Sequence, residues 1–550
     1  MDALVFGATG FIGRHLVAEL LSQGQQVAAV VRDDTRTPWP TDTSGLTVIA
    51  ADIAQPLSGL PAARDVYNAA ARYAFGLGVE EARAVNVTGA VNVLEWAATL
   101  PALRRLVHIS GYRVSAPDGR PDYAALGAYE ASKFEGDLAV RRRARELDVP
   151  LTIANPSTVI GPGQYIGLAG LVADLWHRRL PALPGGPDTF VPIVTIDYFT
   201  RFLAKIPEAP AGEHHWVLDD DTPLLPELVS TLAAHLGVPT PRRAIPVALL
   251  RRLPRRLTGA DPETLSFLSP DRYPTASARA LAEAAGLEMP PAAEALRTWA
   301  DDLVGARFGT TTPWLEPYGF HDRTWIMGER HRPGHVLLHG APMNADLWAP
   351  LAAHLPGPIL APDLPGLGRS ASAHSTDAWL ADLMAPVQTR PVLVAHSLAC
   401  GPVLRYAAAH PERIDGLVLI APSFLQAASP RFTRSLLAPP LLRRLSPARL
   451  AKTLGLPEGA EIKSAAIDLH RPGVAHRTIQ ALRKDHAERE ESRALLARLT
   501  VPTHIITGSA DPLTAPTIHP VTEIAGAGHY PQLTHPAQIA GLRLVRSRGA

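Results

Sequence analysis

The sequence has a single cysteine, Cys400, among its 550 residues. One thiol excludes an internal disulfide and a zinc site built from several cysteines, and we predict no metal centre. No apolar run approaches the roughly 20 residues that a membrane-spanning helix needs. The first predicted strand starts at Ala3, which leaves no room for a signal peptide. We therefore expect a cytoplasmic protein with no membrane partner.

The chain also has no large excess of charge of either sign. Its 53 basic and 52 acidic side chains leave a formal net charge of +1. This balance gives no reason to expect nucleic acid as a partner, so a small-molecule substrate is expected instead. Apolar residues make up 46% and charged residues 19%, which is typical of globular rather than disordered chains. A chain of this length exceeds one hydrophobic core, and two or three domains are expected.

An apolar strand, a glycine turn and an amphipathic helix follow one another at the start of the chain. The three glycines are spaced three apart, which suits a tight turn, close approach of a pyrophosphate and close packing of the helix on a sheet. The free N–H groups of the new helix would bind the phosphates. We predict a dinucleotide site here, with a tight turn that binds no ligand as the alternative. The residues predicted to form it are Gly7, Thr9, Gly10, Phe11, Ile12 and Gly13.

The ends of the following strands indicate which dinucleotide binds. The second predicted strand ends at Arg32, where folds that hold NAD place an acidic residue for the ribose 2′-hydroxyl. A cation suits a 2′-phosphate, so NADP is favoured, NAD is the alternative cofactor, and a surface arginine without this role is the simpler interpretation. Further cofactor contacts are predicted after the third and fourth strands, at Asp52, Ile53, Ala69 and Ala70.

Tyr129 and Lys133 lie four residues apart on a predicted helix, so their side chains share one face. A nearby ammonium lowers the pKa of a phenol, which would let Tyr129 pass a proton to or from a carbonyl or alcohol while the cofactor moves a hydride. Lysine also binds ribose in folds that only hold the cofactor, so a binding role without catalysis stays open.

These features together resemble the extended short-chain dehydrogenase/reductase family, in its epimerase–dehydratase branch, over about residues 1–305. The matching parts are the glycine turn, Asp52, Asn86, the Tyr129 and Lys133 pair, and residues 155–162. The resemblance implies a doubly wound parallel sheet with a small C-terminal substrate subdomain, bound NAD(P) and a Ser/Thr–Tyr–Lys site. It also implies that Asn86 and Pro156 contact the cofactor and that Ser110 belongs to the catalytic residues.

One position departs from the pattern of that family. In the family, the strand before the catalytic helix ends in two hydroxyl residues, and the second polarises the substrate carbonyl. Here Gly111 takes that place after Ser110. Ser110, Tyr112 or a water would have to substitute, or redox activity is weak or absent. Losing one positioned donor costs on the order of 10²–10³ in rate.

A second set of motifs follows a stretch of turn residues, 309–321, which we interpret as a linker. Trp325 is expected on the first edge strand of a new sheet. A later strand runs into the sequence Ala-His-Ser-Leu-Ala around Ser397, and a helix follows. A serine on such a turn is a nucleophile elbow, with alanine at the two flanking places usually held by glycine. Asp511 and His529 come after it, in the order nucleophile, acid, histidine.

The chemistry of these motifs is acyl transfer. His529 would take the proton of Ser397 as it attacks a carbonyl, and Asp511 would orient the imidazole. The backbone N–H groups of Ala341 and Leu398 would form the oxyanion hole. The motifs resemble the serine-nucleophile α/β-hydrolases, and an inactive relative is the alternative. Serine rather than aspartate at the elbow points to esters, thioesters, lactones or C–C bonds beside a carbonyl.

Other parts of the second half concern what surrounds this serine. Residues 423–495 are predicted to form helices of a cap that sets substrate choice, although its leucines could equally pack the cap itself. Residues 514–520 are short for a crossover helix, so a loop is expected to reach the last strand. His396, His504 and His535 have no spaced partners and are interpreted as structural or surface histidines.

The whole sequence thus predicts an α/β protein with a reductase-like domain at residues 1–308, a linker at 309–321 and an α/β-hydrolase domain at 322–550. We expect a bifunctional chain, an NADP-dependent carbonyl reductase or dehydrogenase joined to a serine hydrolase. The alternative makes the first domain a non-catalytic NADP-binding module that regulates or scaffolds the hydrolase. The first family often pairs through helices, so a homodimer is a further expectation, which the fused domain could block.

Overall fold

A computed structural model describes residues 1–33, 37–72, 77–113, 120–250, 252, 267–427, 433 and 435–542. Contacts divide the chain into two units. Unit 1 comprises Met1–Ala173, Leu180–Leu232 and Thr240–Leu303. Unit 2 comprises Asp174–Arg179, Ala233–Pro239 and Val304–Ala550.

Unit 1 is built on a seven-stranded parallel sheet. The strands in this part of the chain are β1 (Ala3–Phe6), β2 (Val27–Val31), β3 (Leu46–Ala50), β4 (Asp65–Asn68), β5 (Arg105–Ile109), β6 (Leu151–Pro156), β7 (Thr158–Ile160), β8 (Leu183–Pro184), β9 (Ile193–Thr195), β10 (His214–Val217) and β11 (Ala244–Ile245). The order across the large sheet is β10–β6–β5–β4–β1–β2–β3, and β7 pairs with β9 and β8 with β11. The predicted doubly wound sheet is confirmed. β10 lies at one edge of the sheet, paired in parallel with β6.

Helices cover both faces of this sheet. They are α1 (Phe11–Ser22), α2 (Val79–Arg83), α3 (Ala90–Ala97), α4 (Tyr123–Leu147), α5 (Leu168–Trp176), α6 (Ile196–Lys205), α7 (Leu225–Leu236), α8 (Val247–Leu250), α9 (Ala276–Ala284) and α10 (Ala292–Gly305). Side chains alternate along β1, so Ala3 and Val5 join a buried cluster with α1 and α6, whereas Leu4 and Phe6 join one with α3 and α4. A π-helical turn at Ala84–Gly89 lies between α2 and α3.

Unit 2 is built on an eight-stranded sheet. Its strands are β12 (Tyr318–His321), β13 (Thr324–Gly328), β14 (His335–Leu338), β15 (Ile359–Pro362), β16 (Val392–His396), β17 (Gly416–Ile420), β18 (Thr503–Gly508) and β19 (Val521–Ile524). Their order is β12–β13–β15–β14–β16–β17–β18–β19. The pairs β12–β13 and β13–β15 are antiparallel, and all the other pairs are parallel.

The first strand of unit 2 lies inside the stretch interpreted as linker. β12 and β13 form a hairpin, so Trp325 is on the second strand of the sheet rather than the first. Asp322 and Arg323 make the turn with φ of 48° and 65°. Turns with two positive φ values usually have glycine, asparagine or aspartate first and glycine second. Asp322 fits the first place, but Arg323 stands where glycine is usual, so the sequence contained only part of the turn signal.

Helices also surround the second sheet. They are α11 (Ala349–Ala352), α12 (Thr376–Met384), α13 (Cys400–Ala409), α14 (Ala438–Arg443), α15 (Pro447–Leu454), α16 (Ala460–His470), α17 (Val474–Ala487), α18 (Arg489–Leu496), α19 (Pro531–Thr534) and α20 (Pro536–Gly541). α14 to α18 occupy the predicted cap, of which 428–432 and 434 lie outside the described residues. The described chain between β18 and β19 contains no helix, which confirms the predicted loop. In the whole described chain, no helix combines the length and apolar composition that crossing a bilayer requires.

A buried charged cluster connects the cap to the core of unit 2. Arg307 donates to Asp468 at 2.6 and 3.0 Å, to Ser464 Oγ at 2.6 Å and to Asp346 at 3.2 Å. The side chains of Arg307 and Asp468 are only 5% and 3% exposed. Arg307 falls within the residues expected to form the first domain, yet these partners all belong to unit 2. No spacing pattern relates residues 307 and 468, so the sequence contained no signal for this contact.

Replacing Arg307 by methionine should destabilise unit 2. The variant leaves Asp468 buried without its cation, whereas Asp346 keeps Arg369 at 2.9 Å. Breaking a buried ion pair in this way costs about 3–5 kcal/mol. Scanning calorimetry of the full-length variant should show the unfolding transition of unit 2 at a lower temperature than in the wild-type protein. Arg390→Met is the matched control, because Arg390 and Asp415 form a surface pair, 58% and 50% exposed, and such pairs contribute about 0–1 kcal/mol. Equal transition temperatures for the two variants would contradict this prediction.

Candidate active sites

A serine elbow lies at the carboxyl end of β16. Ser397 has a φ of 54°, in a region that residues other than glycine rarely adopt and that is often found at functional sites. Helix α13 begins at Cys400 directly after this turn. The flanking Ala395 and Ala399 are fully buried, so small side chains are needed at both places. The strand, the strained serine and the helix form the local structure that the sequence predicted.

Ser397, His529 and Asp511 form one hydrogen-bonded chain. His529 Nε2 lies 3.1 Å from Ser397 Oγ, and His529 Nδ1 lies 2.6 Å from Asp511 Oδ2. An ionised carboxylate only accepts hydrogen bonds, so Nδ1 carries the proton and Nε2 can accept the proton of the serine. The side chains of His529 and Asp511 are 31% and 30% exposed. The fold thus brings together three residues from three different strand ends.

The chain that follows β14 passes close to this serine. A Cβ added to Gly340 would lie 2.8 Å from Ser397 Cβ and 2.7 Å from His396 Nδ1, so this approach requires glycine. Ala341 follows Gly340 and is 6% exposed, and Leu398 is 8% exposed. The two residues predicted to form the oxyanion hole therefore lie on the two segments that meet at Ser397.

Two buried histidines support these segments. His339 Nε2 accepts the Leu364 N–H at 2.9 Å, and His339 Nδ1 lies 3.1 Å from the Gly340 oxygen. His396 Nε2 donates to the His529 carbonyl oxygen at 2.9 Å. Burial lowers the pKa of both His339 and His396, and the acceptor role of His339 Nε2 needs a neutral ring. His396, interpreted from the sequence as a structural or surface histidine, is buried and lies beside His529.

Gln426 is a site residue that no sequence pattern indicated. Its side-chain amide donates to Asp511 Oδ2 and, at 3.1 Å, to the Asp511 carbonyl oxygen. Thr507 Oγ donates to the same carbonyl oxygen at 2.8 Å. Gln426 precedes Asp511 by 85 residues and lies near the start of the predicted cap, before its first helix, α14. A single glutamine in a loop belongs to no recognisable motif, so only the fold reveals this contact.

The apolar residues of the predicted cap fall into two groups. Phe424 and Leu425 are buried in the core cluster of unit 2. Leu436, Leu437 and Leu441 are 88%, 65% and 48% exposed. The first pair therefore serves packing, whereas the second group does not pack the interior of the cap.

The glycine turn of unit 1 leads from β1 into α1. Gly7 has a φ of 71°, and a Cβ there would lie 2.6 Å from the Ala70 backbone. Gly13 packs so closely on Gly7 that a Cβ would lie 2.1 Å from the Gly7 oxygen. Gly10 caps α1 without a side-chain hydrogen bond, and Gly10 and Thr9 are exposed, while Phe11 and Ile12 are half-buried. An exposed turn over an uncapped helix N-terminus fits a pyrophosphate.

The other residues predicted to bind cofactor lie at the carboxyl ends of neighbouring strands. They are Arg32 after β2, Asp52 and Ile53 after β3, Ala69 and Ala70 after β4, and Pro156 at the end of β6. Strand order reverses between β1 and β4, where open α/β sheets bind their ligands. Arg32 and Asp52 are exposed, whereas Ile53 is only 6% exposed and packs under Gly89. The cradle as a whole fits a dinucleotide.

Asn86 lies in the π-helical turn between α2 and α3. Its Oδ1 accepts the Arg72 N–H at 2.8 Å, and its Nδ2 donates to Ser132 Oγ at 2.9 Å. Asn86 is 3% exposed, so both ends of its amide are engaged inside the protein. Asn86 thus ties the loop after β4 to helix α4, and its contact with the cofactor stays a prediction.

Tyr129 and Lys133 lie on α4 just after a break at Gly127, where φ is 80°. The two side chains therefore start from the same face of the segment that follows the break. Lys133 is 6% exposed, and its Nζ donates to the Ile109 carbonyl oxygen at 2.8 Å, at the end of β5. Burial lowers the pKa of Lys133 to about 8. The amino group of Lys133 is thus held at the carboxyl end of β5, next to the predicted reductase site.

The hydroxyl groups of Ser110 and Tyr112, which could replace the missing donor, are buried and have no hydrogen-bond partner among the described residues. Ser110 is 5% exposed. Burial raises the pKa of Asp137, and Arg141 opposes that rise. Burial also raises the pKa of Tyr112, whose ring packs 5.0 Å from that of Tyr273. A Cβ added to Gly111 would meet no described atom within 4 Å. Substitution of the missing donor by Ser110 or Tyr112 therefore stays a prediction.

Comparison with known proteins assigns a family to each half of the chain. Residues 3–181 match the NAD dependent epimerase/dehydratase family. Residues 336–542 match the alpha/beta hydrolase family. The two matches lie on the two sheets described above, one in each unit.

Individual relatives resemble one half each. The chain is 30% identical to sterol demethylase protein B of Methylococcus capsulatus, over 46% of this chain and 79% of the relative. It is 30% identical to the 3-diazoavenalumate denitrifying reductase of a Streptomyces species, over 46% and 87%. It is 28% identical to the pimeloyl-[acyl-carrier protein] methyl ester esterase of Neisseria meningitidis, over 38% and 90%.

Sheet topology, the two family matches and these relatives agree. The predicted fusion of a reductase-like and a hydrolase-like domain is confirmed, and both domains belong to enzyme families. Through unit 1 the chain belongs to the NAD dependent epimerase/dehydratase family, and through unit 2 to the alpha/beta hydrolase family.

Proposed function

We propose that unit 2 is a serine hydrolase of esters, thioesters or lactones and that unit 1 is an NADP-dependent carbonyl reductase or dehydrogenase. The observation that carries the proposal is the chain of hydrogen bonds from Ser397 to His529 at 3.1 Å and from His529 to Asp511 at 2.6 Å. A base within this reach activates a hydroxyl that is otherwise a weak nucleophile at neutral pH.

The proposed hydrolysis proceeds in two steps. His529 Nε2 takes the proton of Ser397 as its oxygen bonds to the carbonyl carbon, and the N–H groups of Ala341 and Leu398 stabilise the oxyanion. His529 then gives its proton to the departing alcohol or thiol, which leaves an acyl group on Ser397. Water, deprotonated by His529, attacks this acyl group and releases the acid. Asp511 holds the imidazole and stabilises its charge throughout.

The ester class has independent support. The relative from Neisseria meningitidis is named as a methyl ester esterase and aligns with this chain over 90% of its own length. A serine nucleophile forms an acyl intermediate from any of the three substrate classes, so Ser397 suits each of them. Pocket shape, set by the cap, then selects among them.

The proposed reduction uses fewer groups of the chain. Bound NADPH would supply the hydride for a carbonyl carbon, and bound NADP⁺ would accept a hydride from an alcohol. Tyr129 would give its proton to the carbonyl oxygen, and protonated Lys133 would stabilise the phenolate that remains. Arg32 would hold the 2′-phosphate. The names of relatives support reduction, since one aligned over 87% of its length is called a reductase. Because the two domains are joined in one chain, we propose that they act in successive steps on one substrate.

A second candidate function for unit 1 is an NADP-binding module without turnover. It is favoured by the missing side chain at Gly111, where the family has a hydroxyl donor. In that case unit 1 regulates or scaffolds the hydrolase. The two candidates differ in whether bound NADPH is consumed.

Ser397→Ala should abolish hydrolysis of p-nitrophenyl esters and labelling by a fluorophosphonate probe, both of which the wild-type protein should show. Removing the nucleophile of such a triad costs on the order of 10⁶ in kcat. Ser446→Ala is the control, because Ser446 is an exposed serine that caps α15. Equal labelling of wild type and Ser397→Ala would sink the hydrolase proposal.

Gly111→Ser should raise kcat for NADPH oxidation by ketones or aldehydes, on the order of 10²-fold, because it restores the missing donor. The new Cβ would meet no described atom within 4 Å, so the variant should fold. Tyr129→Phe should lower the rate measured with the same panel. If NADPH binds but neither wild type nor Gly111→Ser consumes it, the module without turnover is the correct assignment.

Arg32→Gln should weaken NADPH binding and leave NADH binding unchanged. Hydrogen bonds to a charged group contribute about 1.5–3 kcal/mol, so the Kd for NADPH should rise about 10- to 100-fold. Calorimetric titration of both dinucleotides measures this. Arg64→Gln is the control, since Arg64 is exposed just before β4, at the opposite edge of the sheet. Parallel changes in both Kd values would show that Arg32 does not select the phosphate.

A further inference from the structure

Gln426 lies where the chain passes from β17 towards the cap of unit 2. It is 4% exposed. Its side chain donates a hydrogen bond to Asp511, and its backbone carbonyl oxygen accepts one from Arg489. We propose that Gln426 is a positioning residue for the catalytic acid Asp511 and that Arg489 on α18 holds Gln426 in place. This inference rests on the proposed hydrolase function of unit 2.

The amide of Gln426 makes two hydrogen bonds to one residue. Its Nε2 donates to Asp511 Oδ2, the same oxygen that lies 2.6 Å from His529 Nδ1, and to the Asp511 carbonyl oxygen at 3.1 Å. Both partners are acceptors, so the NH₂ end of the amide must face Asp511. The carboxylate is thereby fixed against rotation in the orientation that meets the imidazole of His529.

Asp511 has need of such support. It lies on an exposed turn after β18, and residues that follow it reach β19 through a loop rather than a packed helix. Its backbone is held by Thr507 Oγ at 2.8 Å, but its side chain is 30% exposed. A carboxylate on such a turn has other rotamers available, and two donors on Oδ2 select one of them.

Arg489 fixes the backbone of Gln426 from the opposite side. Its guanidinium donates to the Gln426 carbonyl oxygen and, at 3.3 Å, to that of Ala427. Arg489 is 8% exposed, and burial lowers its pKa, with Arg493 acting in the same direction and Asp485 opposing. Arginine nevertheless remains a cation, so its charge is directed at the segment that leads into the cap. The helix that leaves the cap is thus linked to the catalytic acid.

Gln426→Leu tests the first contact, because leucine keeps most of the volume and removes the amide. We expect kcat for a p-nitrophenyl ester to fall about ten- to a hundredfold with KM unchanged, as expected for losing a hydrogen bond to a charged group. Arg489→Met should lower kcat in the same way, and the double variant should lose little more than the larger single loss. Arg498→Met is the matched control, since exposed Arg498 also donates to a backbone carbonyl, that of Ala494, at 3.2 Å.

Gln426→Glu provides a readout that a purely structural role would not move. A protonated glutamic acid can donate to Asp511 as the amide does, but an ionised one repels it, and two adjacent carboxylates resist joint ionisation. The variant should therefore lose kcat as pH rises over a range where the wild-type rate is level, and regain it when the same preparation is returned to lower pH. A partly unfolded sample cannot produce this reversal.

The outcomes separate this inference from the hydrolase proposal. If wild type neither hydrolyses esters nor is labelled at Ser397, the hydrolase proposal fails, and this inference with it. If wild type is active and Gln426→Leu retains its kcat, or Gln426→Glu follows the wild-type pH profile, the positioning role of Gln426 is overturned. Additive losses in the double variant would overturn the link to Arg489 alone.

Discussion

Both candidate sites depend on backbone segments that approach each other more closely than a side chain would permit. In unit 1 the turn at Gly7 lies against Ala70, and in unit 2 the turn at Gly340 lies against Ser397. Each turn follows a central strand of a parallel sheet, at the carboxyl edge where the ends of several strands meet. Because the approach is set by the backbone, the residues that follow each turn are placed before any side chain contributes. The phosphate cradle and the oxyanion segment have this same origin.

Buried charged side chains hold the loops of unit 2 in position at the carboxyl edge of its sheet. Asp363 accepts the Ala345 N–H at 2.6 Å and the Arg369 N–H at 2.7 Å, so one carboxylate joins the loops after β14 and β15. Arg369 also pairs with Asp346 at 2.9 Å, and Arg307 adds the cap helix α16 to the same cluster. Replacing buried ion pairs by apolar groups often leaves stability unchanged or improves it. What the cluster contributes here is the relative position of core loops and cap.

Local patterns in the sequence were sufficient for much of the fold. The spacing of Gly7, Gly10 and Gly13 after an apolar run predicted strand, turn and helix, because these elements depend on neighbours within a few residues. The same holds for the elbow at Ser397. The hairpin turn at Asp322 and Arg323 escaped prediction, since its two positive φ values occur without glycine. The edge position of β10 was not predicted either, because the sequence of β10 or β6 alone does not indicate that the two strands pair.

The sequence by itself determined the two folds, their order along the chain and the order of Ser397, Asp511 and His529, because hydrophobic periodicity and turn chemistry are local properties. Only the tertiary structure decided the partners of single polar groups. It joins the amide of Asn86 to the hydroxyl of Ser132. It also places Gln426 on Asp511. Contacts of this kind join residues far apart in the chain, and one amide or hydroxyl forms no pattern until the sheet brings the strand ends together.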